Sequence, residues 1–224
     1  SVLVPASCSR STPMICSSLN RLPLIARLLI WRRTLPHPGG VFGVQASVQP
    51  VRFEGVADYY RHIARHVYLR VTNGKPDVIA AIGLLDLYGL DAAIPFPSGV
   101  NTKAARYKWA KQHVEEHVNH PKFHQHFAVH EVEAWLLSDA NIFPTPVRKV
   151  LTPKSSAPED INFDEPPARL LSHTYRQKLR SRYKKAVDGP NLFQSLDPDI
   201  ARAKCPCLKA MLDDMLALSR QAGL

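Results

Sequence analysis

The chain has 224 residues, 45% of them hydrophobic, and a formal net charge of +10. That length can bury a core without cross-links, so one α/β domain with a small helical addition is expected. Because no apolar run approaches the roughly 18 residues of a spanning helix, the composition excludes a membrane-spanning segment, and no membrane partner is expected.

The four cysteines are too few and too unevenly placed for a disulfide framework. Cys205 and Cys207 are separated by one proline, whereas the paired ligands of structural zinc sites usually lie two to four residues apart. The sequence therefore predicts reduced thiols and a cytoplasmic protein.

The positive charge is concentrated at the front of the chain. Residues 1–53 contain six arginines and no acidic residue, whereas residues 54–224 carry 23 basic and 19 acidic residues. A basic balance favours acidic partners such as nucleic acid, although the globular part itself is only mildly basic.

Residues 1–40 form an atypical segment, diverged or disordered, that begins with serine and is rich in Ser, Arg, Pro and Leu. Three interpretations remain open: a targeting segment, since transit peptides are rich in Arg and Ser and poor in acids; an altered or wrongly translated start; or an ordinary first strand and helix, with residues 19–31 as the helix. Residues 41–224 are then expected to form a single α/β domain.

Strands and helices alternate through the rest of the chain. Val, Phe and alternating polar residues predict a strand within 41–53, and a continuous apolar run predicts a strand at 77–85 that is covered on both faces. A third strand is predicted at 124–130. Apolar residues at helical spacing predict helices at 56–71, 102–120, 131–140 and 168–187. This alternation favours a mainly parallel sheet flanked by helices.

The remaining segments are predicted as loops and as a helical C-terminal part. Pro, Ser, Asp and Glu at 144–168 indicate a long loop or flap, and Asp-Gly-Pro at 188–190 indicates a turn. Asp197 followed by Pro198 is typical of a helix start. Apolar residues on one face predict a last helix around Leu208 to Leu216.

Acidic side chains follow two of the predicted strands. Asp86 ends the 77–85 strand, and His130, Glu131 and Glu133 follow the 124–130 strand. If these strands are parallel, both groups open onto the same edge of the sheet, where ligands collect in such folds. Clustered carboxylates bind a hard cation such as Mg²⁺, which can polarise a phosphate. The competing interpretation is structural, because glutamates in the first turn of a helix interact favourably with its dipole.

Two other patterns allow more than one interpretation. His-Val-Glu-Glu-His at 113–117 matches an inverted zinc-protease motif, but no third ligand follows, so a solvated helix face is favoured over zinc. Residues 176–185 contain six basic side chains. They indicate either a phosphate-backbone contact surface or a merely solvated helix.

Four blocks of the sequence resemble the bacterial domain-of-unknown-function family 4276, whose members look Toprim-like. They are Leu-Leu-Asp-Leu-Tyr-Gly-Leu at 84–90, Val-His-Glu-Val-Glu-Ala-Trp-Leu-Leu-Ser-Asp at 129–139, Tyr-Lys-Lys-Ala-Val-Asp-Gly-Pro at 183–190, and the Lys-Cys-Pro segment within 201–212. The second block is the most specific. In the expected order, the four blocks fall within residues 77–216.

The resemblance implies a Toprim-like, Mg²⁺-dependent nuclease-type protein with a role in bacterial defence beside a partner ATPase. It places Asp86 at the central acidic position of the metal site and Glu131 and Glu133 at further acidic, catalytic positions, with His130 beside them. Lys184 and Lys185 would approach phosphate.

The sequence departs from this family at its front. Members normally begin with a strand that ends in Glu-Gly-x-Thr-Glu, and residues 1–53 contain no such motif. Tyr88 also stands where a full Toprim Asp-x-Asp has its second acid. Two hypotheses therefore stay open: an Mg²⁺-dependent nuclease-type protein, active or inactive in this version, and a non-catalytic module that docks an ATPase partner or nucleic acid.

Overall fold

The computed structural model describes residues 26–34, 45–72, 77–161 and 165–223, and its strands form one sheet. The strands are β1 (Ala26–Thr34), β2 (Gln45–Arg52), β3 (Val78–Asp86) and β4 (Phe123–Ala128), in the spatial order β2-β1-β3-β4. β3 and β4 are parallel, as predicted, but β1 runs antiparallel to both β2 and β3. The sheet is therefore mixed rather than mainly parallel.

The sheet is mixed because of β1, which comes from the atypical segment of residues 1–40. Its nine residues pair with β2 on one side and with β3 on the other. The described part of the helix proposed at 19–31 is thus a strand. Pairing with a neighbouring strand on each side satisfies its backbone N–H and C=O groups, and this outweighs the local tendency to form a helix. The other interpretations of this segment concern residues outside the described ranges.

The helices flank the sheet and make up most of the chain after β4. They are α1 (Val56–Val67), α2 (Lys103–Val118), α3 (Glu133–Leu137), α4 (Thr145–Leu151), α5 (Pro167–Leu179), α6 (Asp188–Ser195), α7 (Pro198–Lys204) and α8 (Pro206–Gln221). Within the described ranges, no helix combines the length and the apolar content needed to cross a bilayer.

Three predicted segments differ from the structure. The proposed loop at 144–168 contains α4, which starts next to Pro146, a residue well suited to a first helical turn. The helix proposed at 168–187 ends at Leu179 because Arg180 adopts a left-handed φ of 53°. The proposed turn at 188–190 is the beginning of α6, where the Asp188 carboxylate accepts from the Lys184 N–H.

Apolar side chains cover both faces of β3, as the sequence predicted. On one face Ala81 and Leu85 pack in a core that includes α1 and α2. On the other face Ile82 and Leu84 pack against the helices that follow β4. Since both faces are covered, the carboxyl end of β3 opens only at the rim of the sheet.

Helix α2 covers the outer edge of β4 with a pair of charged side chains. The Glu115 carboxylate accepts from the Gln125 N–H at 2.9 Å, and the Lys111 ammonium donates to the Gln125 carbonyl at 2.8 Å. The two side chains also pair with each other at 2.7 Å. Both outward-facing backbone groups of Gln125 are therefore satisfied by side chains rather than by another strand.

Two histidines of β4 hold α8 against the sheet. Asp214 Oδ2 lies 3.3 Å from His124 Nδ1 and 3.0 Å from His126 Nε2. Hydrogen bonds from His124 and His126 hold the pKa of Asp214 well below its usual range. The C-terminal helix is thus attached to β4 by polar contacts as well as by its apolar face.

Gly83 lies in β3 where the structure leaves no space for a side chain. A Cβ there would overlap the Tyr59 hydroxyl and Gln125 Oε1, and would lie 3.0 Å from the Phe123 ring. The Tyr59 hydroxyl donates to Gln125 Oε1 at 2.6 Å in the buried interior. We expect Gly83→Ala to lower the free energy of unfolding by about 3 kcal/mol, measured by urea denaturation, because overpacking and disruption of this hydrogen bond act together.

Tyr59→Phe provides the control background, because it removes the hydroxyl that the new Cβ would meet. Gly83→Ala should cost less in that background than in the wild type. An equal cost in both backgrounds would contradict the steric explanation.

Candidate functional site

The parallel pairing of β3 with β4 brings the predicted acidic residues to one edge of the sheet. Asp86, the last residue of β3, is opposite Ala128, the last residue of β4. The chain then bends at His130, whose φ of 66° lies in the left-handed region, and the Glu131 N–H donates to the Val129 carbonyl across this bend. A non-glycine residue in this region is strained, and such residues concentrate at functional sites.

Asp86 is buried, with 6% of its surface exposed. Its Oδ1 accepts from the Val132 N–H at 3.1 Å, which ties the end of β3 to the start of α3. Burial raises the pKa of Asp86 to about 8; Lys185 opposes this shift, and Glu133 and Glu131 add to it. Burial therefore favours the protonated form of Asp86 at neutral pH.

Glu131 and Glu133 lie beside Asp86 and have different surroundings. Glu131 Oε2 accepts from the Ala168 N–H in the first turn of α5 at 2.8 Å. Glu133 is 1% exposed, and its Oε2 lies 3.1 Å from Lys185 Nζ without a well-aligned hydrogen bond. Burial raises the pKa of Glu133, and Lys185 counteracts this effect.

Lys185 places its ammonium among these carboxylates. Its Nζ lies 3.1 Å from Glu133 Oε2 and 3.8 Å from Glu131 Oε1. Burial acts to lower the pKa of Lys185, but the carboxylates of Glu133, Asp86 and Glu131 together raise it above its ordinary value. We call the three carboxylates with Lys185 the acidic cluster.

The two lysines predicted to approach phosphate thus have different positions. Lys185 is half-buried in ion pairs with the acidic cluster, whereas the side chain of Lys184 is exposed. No signal in the sequence distinguishes the two adjacent lysines. Which of them turns inward depends on the path of the chain between α5 and α6.

His130 is buried beside the cluster but takes part in another set of contacts. Burial is the largest cause that lowers the pKa of His130, and the nearby charge of Lys103 lowers it further. Asp160 and Glu131 act to raise it. The structure therefore places this histidine between the acidic cluster and the segment around Glu159.

Tyr183 is a member of the site that the sequence reasoning did not single out. The side chain is buried, and its hydroxyl has no hydrogen-bond partner within the described ranges. Burial raises the pKa of Tyr183, and Glu133 is the next largest cause of that shift. Its position two residues before Lys185, in the Tyr-Lys-Lys block, was the signal that could have indicated it.

The acidic cluster has the donor chemistry of a divalent-cation site, although its side chains surround an ammonium. Carboxylate oxygens are the ligands that Mg²⁺ prefers. The buried Tyr183 hydroxyl has no hydrogen bond in the described part of the chain, and such an atom calls for water or an ion. Glu133 Oε2 is paired with Lys185 but has no well-aligned hydrogen bond. Among the same residues, however, no three His, Cys, Asp or Glu side chains are arranged so that they could hold one metal ion.

The zinc-protease pattern at 113–117 has a different use. His113 Nε2 lies 2.9 Å from the Tyr60 hydroxyl, and His117 Nε2 lies 2.9 Å from the Tyr60 carbonyl. Both imidazoles also stack on the Tyr60 ring. The two histidines therefore join α2 to α1, whereas the sequence had favoured a merely solvated helix face.

The described residues define an α/β protein with an acidic cluster at the carboxyl edge of a parallel strand pair. Residues 30–216 match the family described as Domain of unknown function (DUF4276), and the chain belongs to that family. This match confirms the resemblance inferred from the four sequence blocks. No curated protein and no solved structure matches the chain.

Proposed function

We propose that the protein is a Toprim-like, Mg²⁺-dependent nuclease-type protein whose acidic cluster is the site of phosphodiester chemistry. The observation that carries this proposal is the convergence of three carboxyl groups, with Asp86 and Glu133 buried, around a single ammonium at one edge of the sheet. A divalent cation would stabilise the ionised form of all three groups. The Toprim-like architecture and the setting in bacterial defence beside a partner ATPase are parts of the same proposal.

In this proposal Asp86, Glu131 and Glu133 hold Mg²⁺. When bound, the ion would polarise a phosphate and neutralise charge that develops on it. Burial favours the protonated form of Asp86 below a pH of about 8, so binding of the ion would have to displace that proton. Glu131 is positioned by the N-terminus of α5, and Lys185 balances the cluster and lies where a phosphate would approach.

Removing two carboxylates of the cluster should abolish Mg²⁺ binding. We expect Asp86→Asn combined with Glu131→Gln to eliminate the heat of Mg²⁺ or Mn²⁺ titration and any cleavage of nucleic acid. The physical reason is that two of three anionic ligands become neutral amides. Isothermal titration calorimetry measures the first effect, and a gel-based nicking assay the second.

A matched control changes the same charge elsewhere. Asp91→Asn combined with Glu116→Gln neutralises two acids that are exposed and lie outside the cluster. Its titration heats should equal those of the wild type. Equal heats from the cluster variant and the wild type would overturn the metal site.

The second candidate is a non-catalytic module that docks nucleic acid or an ATPase partner. It is favoured by the ammonium of Lys185, which already lies 3.1 Å from Glu133 Oε2, and by the lack of a ready three-ligand metal group within the described ranges. Salt-dependent DNA binding by the wild type, without metal heats and without nicking in Mg²⁺ or Mn²⁺, would support this candidate against the first.

A further inference from the structure

One continuous part of the chain beside the acidic cluster carries positive charge only. From Pro166 to Val187 there are seven basic residues and no acidic residue. Lys185 is the one that enters the acidic cluster. The side chains of the other six are exposed, and we call them the basic strip: Arg169, Arg176, Lys178, Arg180, Arg182 and Lys184.

The basic strip is not neutralised by the protein itself. Within the described ranges, none of its side chains forms an ion pair or a hydrogen bond to an acidic side chain, although acids such as Glu165 and Asp188 are near in sequence. Asp188 instead accepts from the backbone N–H of Lys184. A merely solvated helix face usually mixes both signs of charge, so a single-sign strip without counter-ions indicates an anionic partner.

The chain geometry directs this strip toward the acidic cluster. After α5 ends at Leu179, residues 180–182 are exposed, and Tyr183 is buried between the exposed Arg182 and Lys184. The next residue, Lys185, contacts Glu133. An extended anion lying along the strip would therefore reach the cluster within one residue of Lys184.

Two exposed side chains with apolar surface lie close in sequence to members of the cluster. Tyr88, two residues after Asp86, is 44% exposed, and Val187, two residues after Lys185, is 58% exposed. An exposed aromatic ring beside a cationic track is the combination by which proteins bind unpaired strands, because bases stack on the ring while phosphates pair with the cations. A duplex offers phosphates but keeps its bases stacked inside.

We infer that the basic strip binds the phosphate backbone of single-stranded nucleic acid and that Tyr88 stacks on one of its bases. This deepens the proposed function by naming its substrate class, and the assignment of the strand to the acidic cluster rests on that proposal. Binding itself depends on the strip and requires no metal, so the two proposals can fail separately.

The test uses a fluorescently labelled oligothymidine of about 20 nucleotides in EDTA, with the full chain and fluorescence anisotropy as the readout. The variant Arg180→Gln, Arg182→Gln, Lys184→Gln should bind at least about tenfold more weakly than the wild type at 0.1 M salt. Its plot of log affinity against log salt should be shallower by about 2, because each lost phosphate contact on a single strand contributes about 0.7. Tyr88→Leu should weaken binding roughly fivefold or more through lost stacking.

The charge-matched control is Arg61→Gln, Arg65→Gln, Lys108→Gln, which removes three exposed cations of α1 and α2 on the other face of the sheet. It should bind as the wild type does. Thermal unfolding of each variant verifies that it is folded, and the salt slope compares contact numbers independently of the fraction of active protein. Equal weakening by the control and strip variants would overturn the assignment to the strip.

Two further comparisons decide strandedness and the relation to catalysis. Tighter binding of a matched duplex, with no effect of Tyr88→Leu, would overturn the single-strand assignment. Asp86→Asn should retain oligothymidine binding in EDTA. Retained binding would support the assignment of the binding surface to the basic strip, whether or not the wild type cleaves. Loss of binding in Asp86→Asn would show that the strand is held by the cluster and would contradict the inference.

Discussion

Replacing Lys185 by methionine should lower the free energy of unfolding by about 3 kcal/mol at pH 8 in EDTA. The change removes the ammonium that lies 3.1 Å from Glu133 Oε2 and leaves buried carboxylates without a counter-ion. Such groups take up protons rather than remain charged, so the cost should shrink as the pH falls to about 5. Urea denaturation at both pH values measures the effect.

Lys184→Met is the matched control, because it removes the same charge one position earlier from an exposed side chain. We expect it to change stability by less than about 0.5 kcal/mol. Equal effects of the two substitutions would show that Lys185 does not stabilise the cluster. Mg²⁺ should raise the melting temperature of Lys185→Met more than that of the wild type, because the ion and the ammonium compete for the same carboxylates.

Replacing Asp86 by asparagine should change how stability depends on pH. Burial raises the pKa of Asp86 to about 8, whereas an unfolded aspartate titrates near about 4. Between these values the native state keeps a proton that the unfolded chain has released, so wild-type stability falls as the pH rises through this window. Asp86→Asn lacks this titration.

The asparagine variant should therefore gain stability relative to the wild type as the pH rises from 5 to 9, by on the order of 4 kcal/mol. Urea denaturation in EDTA at several pH values measures this difference. Asp91→Asn, at an exposed acid that follows the same strand, should instead follow the wild-type curve. Parallel curves for Asp86→Asn and the wild type would rule out the raised pKa.

The same titration predicts how Mg²⁺ affinity depends on pH under the proposed function. A carboxylate must lose its proton before it can bind a metal, so wild-type affinity should rise by up to about tenfold per pH unit between pH 6 and pH 8. If calorimetric titrations gave the same Mg²⁺ affinity at every pH, the titration of Asp86 would not be linked to metal binding. This outcome would favour the binding-module alternative.

The centre of the fold could be predicted from the sequence because its signals are local. The apolar run of β3 indicated a strand covered on both faces, and Asp86 at its end indicated an edge position. The parallel pairing with β4 then brought Asp86 near Glu131 and Glu133, as expected from chain direction alone. Asp197 and Pro198 likewise predicted the start of α7, because an N-cap aspartate followed by proline is typical of a first helical turn.

The parts that could not be predicted depend on contacts between distant residues. β1 is a strand because β2 and β3 offer pairing on both sides, which its own composition does not reveal. Leu179 ends α5 because Arg180 adopts a left-handed conformation, with no glycine to mark the position. The path of the chain after α5 also decides which lysine turns inward, so the sequence could not show that Lys185 would join the acidic cluster and not the basic strip.

Helix α2 has a consequence for how this protein behaves at high concentration. β4 is the outermost strand on its side of the described sheet, and a bare outermost strand is a template for strand addition and aggregation. Glu115 and Lys111 occupy the hydrogen-bonding positions that an incoming strand would need at Gln125. Two salt-bridged side chains thus block intermolecular β-pairing at the middle of this edge strand.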